Sequence, residues 1–385
     1  MRLAAFEDSV YRRDPGGVIS IDRAFPTFMA GLAADVDHLV VLGRLNPEAG
    51  RSHYALAAEL DFVALPFYGS LNDPLGVAKA FSRSLRVFWR VLGRVDAIWI
   101  NGPHPLGAVV ALMALARRAT PILGVRQNTM LYGKSRHPGS RPHLAVFALL
   151  EGTWRALARV CPVVVVGPEL AGLYRRHARE LHELSVSFVS EDDILPASAA
   201  SERDWSGELL AVSVGRLEQE KNPLLLADVL AALPERWKLV VCGEGNLRGA
   251  LEARLDELGV RDRAELLGYV PIDRGLFDVY RRSHAFLHIS WTEGLPQVLL
   301  EAFAARLPVV ATDVGGVSAV AGDAALLVGP GDAQAPAAAL ERLAAEPELR
   351  DRLASDGVTR VASRTAEAQR RGLAAFIARV SGSGR

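Results

Sequence analysis

The stretch AFLHISWTEGLPQVLLEAFAARLPVVATDVGG, residues 285–316, contains two apolar runs separated by one helical pattern. The first run, AFLHIS, predicts a buried strand, and the second, LPVVAT, predicts another. A helix is expected to begin near Leu295–Pro296, because proline is favoured at the first helical position, where its missing N–H would have no partner anyway. A strand, a helix and a strand in this order predict part of a parallel sheet covered by helices.

The loop before that helix is suited to hold a phosphate group. Glu293, Gly294 and Leu295 are expected at a helix N-terminus, which presents unpaired N–H groups and a partial positive charge. Gly294 allows a ligand to approach the backbone closely. Two carboxylates accompany the loop, Glu293 within it and Glu301 two turns into the helix.

The composition is that of a globular chain without net charge. The chain has 385 residues, half of them apolar, with 44 Lys and Arg against 44 Asp and Glu. This length predicts two domains of fewer than about 200 residues each. Cys161 and Cys242 each lie beside valines, which predicts two separate buried thiols in a reducing compartment.

The sequence contains no pattern typical of membrane insertion or secretion. No apolar run approaches the roughly 18 residues that span a bilayer. Glu7, Asp8 and Asp14 lie where a signal peptide requires apolar residues. We therefore expect a cytoplasmic protein that is at most peripheral on the inner face of the membrane.

Short apolar runs alternate with helical patterns along almost the whole chain, which predicts an α/β fold of two doubly wound, Rossmann-like parallel sheets. Residues 1–190 form the first predicted domain, 191–207 a polar linker, and 208–364 the second domain. An amphipathic helix at 365–381 could pack back on the first domain. Ligands of such sheets bind at the carboxyl ends of the strands, so an interdomain cleft is the expected site. The predicted helices include 168–182 and 347–354.

Two further loops of the second domain carry residues suited to phosphate. Gly215, Arg216 and Lys221 follow its first strand, and an arginine and a lysine beside a glycine can neutralise a diphosphate. Gly243 and Gly245 follow its second strand. The first of these loops, taken alone, is more simply explained as an ordinary solvated loop. Three such loops at the same strand ends favour a shared anion site.

A nicotinamide-dependent oxidoreductase is the alternative that the glycine loop suggests. In that class an acidic residue at the carboxyl end of the next strand binds the ribose. Glu265 instead lies at the start of the next strand, and the glycine loop follows the second strand of its domain. Both observations disfavour this alternative.

The motifs of the second domain resemble the donor domain of the retaining family 4 glycosyltransferases, which have the GT-B fold. The shared pattern covers nearly all of residues 208–330, in order and with ordinary spacing. The first domain resembles that family only in pattern. The motifs that carry the resemblance are G-R-x4-K (215–221), G-x-G (243–245), L-G-Y-V (267–270), E-G-L-P-Q-V-L-L-E (293–301) and P-V-V-A-T-D-V-G-G (308–316).

The resemblance implies a nucleotide-sugar donor bound by the second domain and an acceptor bound on the side of the first. Arg216 and Lys221 would bind the donor diphosphate, with help from the amides of Gly294 and Leu295. Glu301 would accept hydrogen bonds from the ribose hydroxyls. The donor site would also include the loop glycines Gly215, Gly243 and Gly245.

Further roles implied by the resemblance concern the sugar and the base. Glu293, the first acid of E-x7-E, would face the transferred sugar near the reacting carbon. The backbone at Tyr269–Val270 would meet the nucleobase. Gly16–Gly17 would line the cleft from the first domain, and His104 would point at the sugar or the acceptor. Because prolines flank His104, a rigid structural turn is the alternative for that position.

The implied reaction is transfer with retention of the anomeric configuration, by front-face attack through an oxocarbenium-like state. Two cations and a helix terminus can stabilise the leaving diphosphate, so we expect neither a metal nor another cofactor. The Asp-x-Asp at 35–37 ends a predicted helix, where a metal–diphosphate site is not expected. The donor is expected to be a UDP- or GDP-sugar, with UDP favoured, and the acceptor a glycan, a lipid-linked sugar or a small molecule.

Two other functions remain open at this stage. A GT-B phosphorylase or a sugar-nucleotide epimerase could use the same donor residues. A non-catalytic nucleotide-sugar-binding protein would need no acidic residue facing the sugar, so the presence of Glu293 disfavours it.

A basic stripe is predicted on the helix that contains residues 79–94. Two interpretations are open: a solvated face of a helix packed on its sheet, or a surface for anionic lipid headgroups. Nucleic acid is not expected as a partner, because the chain has no net charge and no recurring aromatic–basic pattern. The stripe consists of Lys79, Arg83, Arg86, Arg90 and Arg94, opposite Phe81, Leu85, Phe88, Trp89 and Leu92.

Overall fold

The computed structural model describes residues 1–22, 25–52, 54–68, 74–136, 140–185, 187, 189–271 and 275–382, without the side chains of 25–27, 74 and 134–136. The chain forms two compact units. Unit 1 contains Met1–Val186 together with Gln369–Arg385, and unit 2 contains Ser187–Ala368.

Within its described residues, unit 1 contains a mainly parallel sheet of order β5-β3-β1-β6-β7-β8-β9. Two short strands, β2 and β4, extend the far end of β1 in antiparallel pairing. The strands are β1 (Arg2–Arg13), β2 (Ile19–Ile21), β3 (His38–Leu45), β4 (Tyr54–Ala55), β5 (Asp61–Leu65), β6 (Ala97–Gly102), β7 (Thr120–Val125), β8 (Val163–Val166) and β9 (Leu181–Leu184).

Helices cover both faces of the unit 1 sheet, so alternate residues of each strand are buried on opposite sides. Ile98 and Ile100 of β6 face one cluster and Trp99 the other. The helices of unit 1 are α1 (Phe25–Ala33), α2 (Pro74–Leu92), α3 (Pro105–Ala116), α4 (Thr129–Arg136), α5 (Arg141–Ala158) and α6 (Pro168–Tyr174).

The helix predicted over 168–182 is wrong beyond Tyr174. Helix α6 ends there, and residues 181–184 form β9, the edge strand paired with β8. The sequence LHEL of β9 is too polar to resemble a buried strand. An edge strand has one neighbour only, so it tolerates this composition.

The C-terminal helix belongs mainly to unit 1. Leu373, Phe376, Ile377 and Val380 recur at helical spacing and share a buried cluster with Trp99 and the start of β1. This amphipathic face covers one side of the sheet. The helix is α15 (Ala366–Gly382).

Within its described residues, unit 2 has a six-stranded parallel sheet of order β12-β11-β10-β13-β14-β15. Counted from the start of the unit, this is the order 3-2-1-4-5-6 of a doubly wound sheet, which reverses direction between β10 and β13. The strands are β10 (Leu209–Val214), β11 (Trp237–Cys242), β12 (Ala264–Gly268), β13 (Ala285–His288), β14 (Val309–Thr312) and β15 (Ala325–Val328).

Two hydrophobic clusters, one on each face, hold the unit 2 sheet between its helices. The helix predicted over 347–354 continues to Ala362. Gly357 lies within it against the ring of Phe303, where a Cβ would come within 2.6 Å of the ring. The helices are α7 (Ser198–Ser201), α8 (Leu224–Ala232), α9 (Arg248–Glu257), α10 (Leu276–Arg282), α11 (Gln297–Ala304), α12 (Val317–Ala321), α13 (Gln334–Ala345) and α14 (Pro347–Ala362).

The segment 191–207, predicted as a linker, packs on unit 2. Leu195 is buried there, and its N–H donates to the carbonyl of Ala304 at 2.8 Å. The guanidinium of Arg203 donates to the carbonyls of Ala305 and Arg306. The polar residues of this segment hydrogen-bond to carbonyls at the end of α11. Because of these contacts, the segment belongs to unit 2 and is not a free linker.

Candidate active site

The reversal of strand order in unit 2 brings two predicted loops together. β10 and β13 are adjacent, and the loops that follow them begin at Gly215 and Ile289 at the same edge of the sheet. The N–H of Trp291 donates to the carbonyl of Glu220 at 2.9 Å, which joins the two loops directly. Crevices at such a reversal are where ligands of doubly wound sheets bind.

Two pairs of glycines, Gly243 with Gly245 and Gly315 with Gly316, allow neighbouring loops to pack against the loops that begin at Gly215 and Ile289. A Cβ on Gly243 would come within 1.8 Å of the carbonyl oxygen of Gly215, and one on Gly245 within 2.4 Å of the carbonyl of Leu217. Gly243 and Gly245 thus pack on the backbone of the loop that carries Arg216, and their predicted place in the donor site stays a prediction. Gly315 and Gly316 hold the 293–294 backbone in the same way.

Glu293 is the centre of a polar cluster at this edge. Its Oε1 accepts hydrogen bonds from Lys221 Nζ at 2.5 Å and Ser290 Oγ at 2.6 Å, and lies 2.9 Å from His288 Nε2. The side chain is 6% exposed. Burial raises the pKa of Glu293, but hydrogen bonds from His288, Lys221 and Ser290 outweigh burial and lower it to about 2. The carboxylate is therefore ionised at neutral pH.

The two predicted diphosphate cations differ in their surroundings. Lys221 is largely buried and paired with Glu293, whereas Arg216 is 70% exposed and paired with Glu220 at 2.6 Å. A cavity of about 20 Å³ lies between the two loops and is lined by Gly215, both cations and His288. It is about the size of one water molecule.

Glu301 lies on α11, which begins at Gln297 with Pro296 as its N-cap residue. Its carboxylate is 7% exposed and accepts a hydrogen bond from the hydroxyl of Tyr280 at 2.8 Å. Burial raises the pKa of Glu301, assisted by the charge of Asp193 and opposed by the Tyr280 hydrogen bond, and the net pKa is raised. Tyr280 holds this carboxylate in place, a contact between residues 21 positions apart.

The predicted base-contacting residues follow β12, two strands from β10. Gly268 ends that strand in a left-handed conformation, with φ of 73°, and its carbonyl accepts from the N–H of Gly243 at 2.7 Å. Tyr269 is 74% exposed, and Val270 packs at the rim of a buried cluster. The structure thus links the L-G-Y-V motif to the glycine loop through one backbone hydrogen bond.

The unit 1 residues predicted from the resemblance lie in two separate places. Gly16 and Gly17 form the turn between β1 and β2, where the N–H of Gly17 donates to the carbonyl of Asp14 and φ of Gly17 is 90°. His104 is the N-cap residue of α3. Its Nε2 lies 3.1 Å from Asp8 Oδ2.

Asp8 is the centre of a second polar cluster that the sequence did not predict. Its Oδ2 accepts a hydrogen bond from the Tyr68 hydroxyl at 2.7 Å, and its Oδ1 lies 2.9 Å from Arg44 Nε. Burial raises the pKa of Asp8, but contacts with His104, Arg44 and Tyr68 outweigh burial and lower it. Asp8 is therefore an anion that orients His104.

His288, Ser290, Tyr280 and Asp8 were missed by sequence reasoning. His288 had a detectable signal, since it is an ionisable residue inside the apolar run AFLHIS, five positions before Glu293. The others are common residue types at ordinary positions. Their roles depend on contacts that only the fold provides.

The predicted basic stripe is exposed along its whole length, but only Lys79 to Arg90 lie on α2, because the helix ends at Leu92 and Arg94 follows it in a turn. Trp89, predicted on the buried face, is 46% exposed and packs under the guanidinium of Arg117, 4.7 Å from the ring centroid. No helix in the described ranges is long and apolar enough to cross a bilayer. Across those same ranges, no three His, Cys, Asp or Glu side chains form a group that could hold a metal ion.

Comparison with solved structures shows which fold the chain has. HepE of Anabaena, solved in complex with UDP, superposes with a TM-score of 0.63 at 17% identity, over 98% of this chain and all of that one. Sucrose-phosphate synthase of Thermosynechococcus elongatus gives 0.61 at 18% identity, over the whole of both chains. The predicted GT-B class with two parallel-sheet α/β units is thereby confirmed.

Comparison of the sequence with known proteins shows similarity to glycosyltransferases. Residues 199–359 match the family described as "Glycosyl transferases group 1". The Campylobacter jejuni enzyme named GalNAc-alpha-(1->4)-GalNAc-alpha-(1->3)-diNAcBac-PP-undecaprenol alpha-1,4-N-acetyl-D-galactosaminyltransferase is 30% identical over 157 residues, 38% of this chain and 41% of that one. The D-inositol 3-phosphate glycosyltransferase of Corynebacterium urealyticum is 26% identical over 288 residues, 69% and 62%. The chain spans less than two thirds of either relative.

Proposed function

We propose that this chain is a glycosyltransferase that transfers a sugar from a nucleotide-sugar donor to a glycan, a lipid-linked sugar or a small molecule. The observation that carries the proposal is the convergence of Arg216, Lys221 and the ionised Glu293 where the strand order of unit 2 reverses. Two cations suit a diphosphate, and a buried carboxylate beside them suits a sugar carbon that develops positive charge.

UDP-sugars are the favoured donors, with GDP-sugars as the alternative. The structural neighbour HepE was solved with UDP and with UDP-glucose, which supports the choice of UDP. The Campylobacter relative is named for an undecaprenol-diphosphate-linked acceptor, which supports a lipid-linked acceptor here.

The proposed roles of the unit 2 residues follow from their environments. Lys221 exchanges part of its contact with Glu293 for a diphosphate oxygen, and Arg216, already exposed, binds the same group from the surface. Glu301, positioned by Tyr280, accepts hydrogen bonds from the ribose hydroxyls. These are charge-assisted bonds, which are about twice as strong as neutral ones.

The proposed reaction retains the anomeric configuration and uses no metal. The bond between the sugar carbon and the donor phosphate oxygen breaks as the acceptor hydroxyl attacks from the same face, and the leaving phosphate takes the acceptor proton. Lys221 and Arg216 stabilise the charge left on the diphosphate. Glu293, kept ionised by three donors on one oxygen, stabilises the positive charge on the sugar.

We further propose that the protein is cytoplasmic and can associate with the inner face of the membrane through α2. Its four exposed basic residues form one face, with Arg94 just beyond the end of the helix, and each basic residue near an anionic membrane contributes on the order of 1 kcal/mol. A lipid-linked acceptor would be presented at that surface.

The test of the function is release of nucleoside diphosphate from a panel of UDP- and GDP-sugars, with and without an acceptor mixture and with excess EDTA. We expect release from a UDP-sugar that depends on acceptor and persists in EDTA. Dependence on inorganic phosphate would instead indicate a phosphorylase. Binding of UDP without any release would leave only a nucleotide-sugar-binding protein.

A further inference from the structure

The three side chains that contact the carboxylate of Glu293 all contact the same oxygen. Lys221 Nζ, Ser290 Oγ and His288 Nε2 lie 2.5, 2.6 and 2.9 Å from Oε1. Oε2 accepts no hydrogen bond from a described residue, and it is not among the unpartnered atoms that are fully buried. The carboxylate therefore has one occupied oxygen and one oxygen that a ligand can reach.

Two of the three donors are held by the sheet. His288 is the last residue of β13 and the register partner of Ala311 on β14. Its ring is 3% exposed and stacks on Phe286, with centroids 6.2 Å apart and planes 15° apart. The carbonyl of Ser290 accepts a hydrogen bond of 2.9 Å from the hydroxyl of Thr312, the last residue of β14. Buried neighbours thus fix the position of both donors.

The third donor is held less firmly. Lys221 lies in the loop after β10, and its ammonium is carried on a flexible four-carbon chain. An ammonium has three N–H donors, so it can turn toward a diphosphate oxygen. In the proposed function Lys221 exchanges part of its contact with Glu293 in this way. His288 and Ser290 cannot make the same exchange, because β13 and β14 fix them.

The exchange would be costly if Lys221 were the only partner of Glu293. A buried charge without a partner either takes up a proton or moves toward water. A protonated Glu293 could not stabilise positive charge on a sugar, and a displaced one would no longer face it. Two donors from β13 and the residues after it remain on Oε1 when the lysine turns away, and they prevent both outcomes.

We propose that His288 and Ser290 are positioning residues, which keep Glu293 ionised and present its Oε2 to the donor sugar while the diphosphate engages Lys221. This inference rests on the proposed glycosyltransferase function. Because an ionised carboxylate can only accept, His288 carries a proton on Nε2. The two residues act through Glu293, so they affect the transfer step and leave binding of the nucleotide unchanged.

The first test separates kcat from donor affinity in two variants of His288. His288→Leu removes the donor and keeps an apolar side chain against Phe286, whereas His288→Gln retains an N–H donor. With the UDP-sugar that the unchanged protein uses, we expect His288→Leu to lower kcat roughly tenfold to a hundredfold, the scale of a lost charge-assisted hydrogen bond. The Kd for UDP should stay the same, and His288→Gln should recover most of kcat. A residue needed only for packing would give neither this separation nor this recovery.

The second test follows the ionisation of Glu293 by ¹³C NMR of its carboxyl group. Hydrogen bonds from His288, Lys221 and Ser290 lower the pKa of Glu293 to about 2 against the effect of burial. Among the described residues, the cation that contacts this carboxylate is Lys221, and Arg216 lines the adjoining cavity. Removing a donor should raise the pKa of Glu293, so the acidic limb of kcat should move to higher pH in His288→Leu and Ser290→Ala. If His288→Leu fails to fold, Ser290→Ala decides the outcome.

His182→Leu is the matched control. The ring of His182 also stacks on a phenylalanine, Phe376, with centroids 5.2 Å apart, but it lies on β9 of unit 1 and outside the candidate site. Its variant should keep kcat, the Kd for UDP and the pKa of Glu293.

The possible results separate this inference from the proposed function. Turnover with unchanged kcat in both His288→Leu and Ser290→Ala overturns the inference and leaves the function intact. A loss confined to the Kd for UDP places His288 at the diphosphate and overturns its positioning role. No turnover of any nucleotide-sugar by the unchanged protein overturns the function. The NMR titration still decides the structural part in that case, since an unchanged pKa of Glu293 in the variants refutes it.

Discussion

Lys221 donates a hydrogen bond of 2.5 Å to Glu293, so the cation proposed for the diphosphate and the acid proposed for the sugar are in contact before any ligand binds. Each side chain therefore affects the charge or the orientation of the other. The ammonium helps to keep the carboxylate ionised, and the carboxylate fixes the direction of a flexible lysine. A donor that binds here enters a site whose charges are already arranged, which is the electrostatic condition for stabilising a transition state.

Lys221→Ala is expected to weaken use of the donor by about 1.5–3 kcal/mol, the scale of a lost charge-assisted hydrogen bond, or roughly tenfold to a hundredfold. The measurement is kcat/KM for the nucleotide-sugar together with the Kd for UDP. Lys238→Ala is the matched control, since Lys238 Nζ lies 3.8 Å from the carboxylate of the exposed Glu208, on a strand away from the candidate site. Equal UDP affinities in all three proteins would remove Lys221 from the diphosphate site.

The pKa of Glu293 predicts a specific pH dependence of stability. At about 2 it lies below the value near 4.3 of an unfolded glutamate. A carboxyl with a depressed pKa in the folded state adds stability above its unfolded pKa, and this stability is lost as the pH falls through the folded pKa. The contribution of Glu293 should therefore disappear between pH about 4.5 and about 2.

Glu293→Gln tests this dependence by urea unfolding as a function of pH. Near neutral pH we expect the free energy of unfolding to fall by on the order of 2 kcal/mol, after allowance for solvent screening. The difference from the unchanged protein should shrink below pH about 4.5. Glu257→Gln, at an exposed partner of Arg254, should show little difference throughout. A Glu293→Gln deficit that is constant down to pH about 2 would contradict the assignment.

Tyr280→Phe tests whether donor binding depends on the orientation of the Glu301 carboxylate, because it leaves Glu301 itself unchanged. The variant retains the buried ring and removes the hydroxyl that lowers the pKa of Glu301. We expect a weaker donor Kd than in the unchanged protein, and Glu301→Ala should weaken it further, by about 1.5–3 kcal/mol. Glu257→Ala serves as the control. Isothermal titration with UDP measures all four, and unchanged affinity in Glu301→Ala would remove the ribose role.

Gly243→Ala is expected to damage both the fold and the donor site. A Cβ there would lie 1.8 Å from the carbonyl oxygen of Gly215, so the loop carrying Arg216 has to move. Gly249→Ala is the control, because a Cβ at that position meets nothing within 4 Å and lies in α9, where alanine is favoured by about 0.5–1 kcal/mol. We expect a lower melting temperature and weaker UDP binding for the first variant only. Equal melting temperatures would refute the close packing.

Some elements of the fold could be predicted because they depend only on residues close together in the sequence. The strands of unit 2 are short apolar runs, so their composition and the order of motifs were sufficient to predict them. β9 was missed because an edge strand needs little apolar content, and the full length of α14 was missed because Gly357 is required by its contact with Phe303. Lys221 and Glu293, which the motifs placed in different loops, lie in contact, and their roles toward a donor stay predictions.

Contacts across the chain could not be predicted in the same way. The bond between Tyr280 and Glu301 and the contact of His104 with Asp8 depend on which strands become neighbours. The glycine loop was predicted to bind a ligand, and the sequence did not show that its Gly243 also packs on the backbone of Gly215. A sequence pattern shows that a glycine is needed, but not whether a ligand or another loop occupies the space beside it.

The basic stripe of α2 predicts binding to anionic membranes. Arg86 and Arg90 are exposed on one face of the helix, so replacing both by glutamate changes the local charge by four without touching the core. We expect the unchanged protein to sediment with phosphatidylserine-containing vesicles but not with neutral ones, and to be released at high salt. Arg86→Glu with Arg90→Glu should abolish sedimentation, whereas the same exchange at Arg281 and Arg352, exposed in unit 2, should not. Equal sedimentation with neutral and anionic vesicles would refute the electrostatic origin, because only the anionic surface attracts a basic stripe.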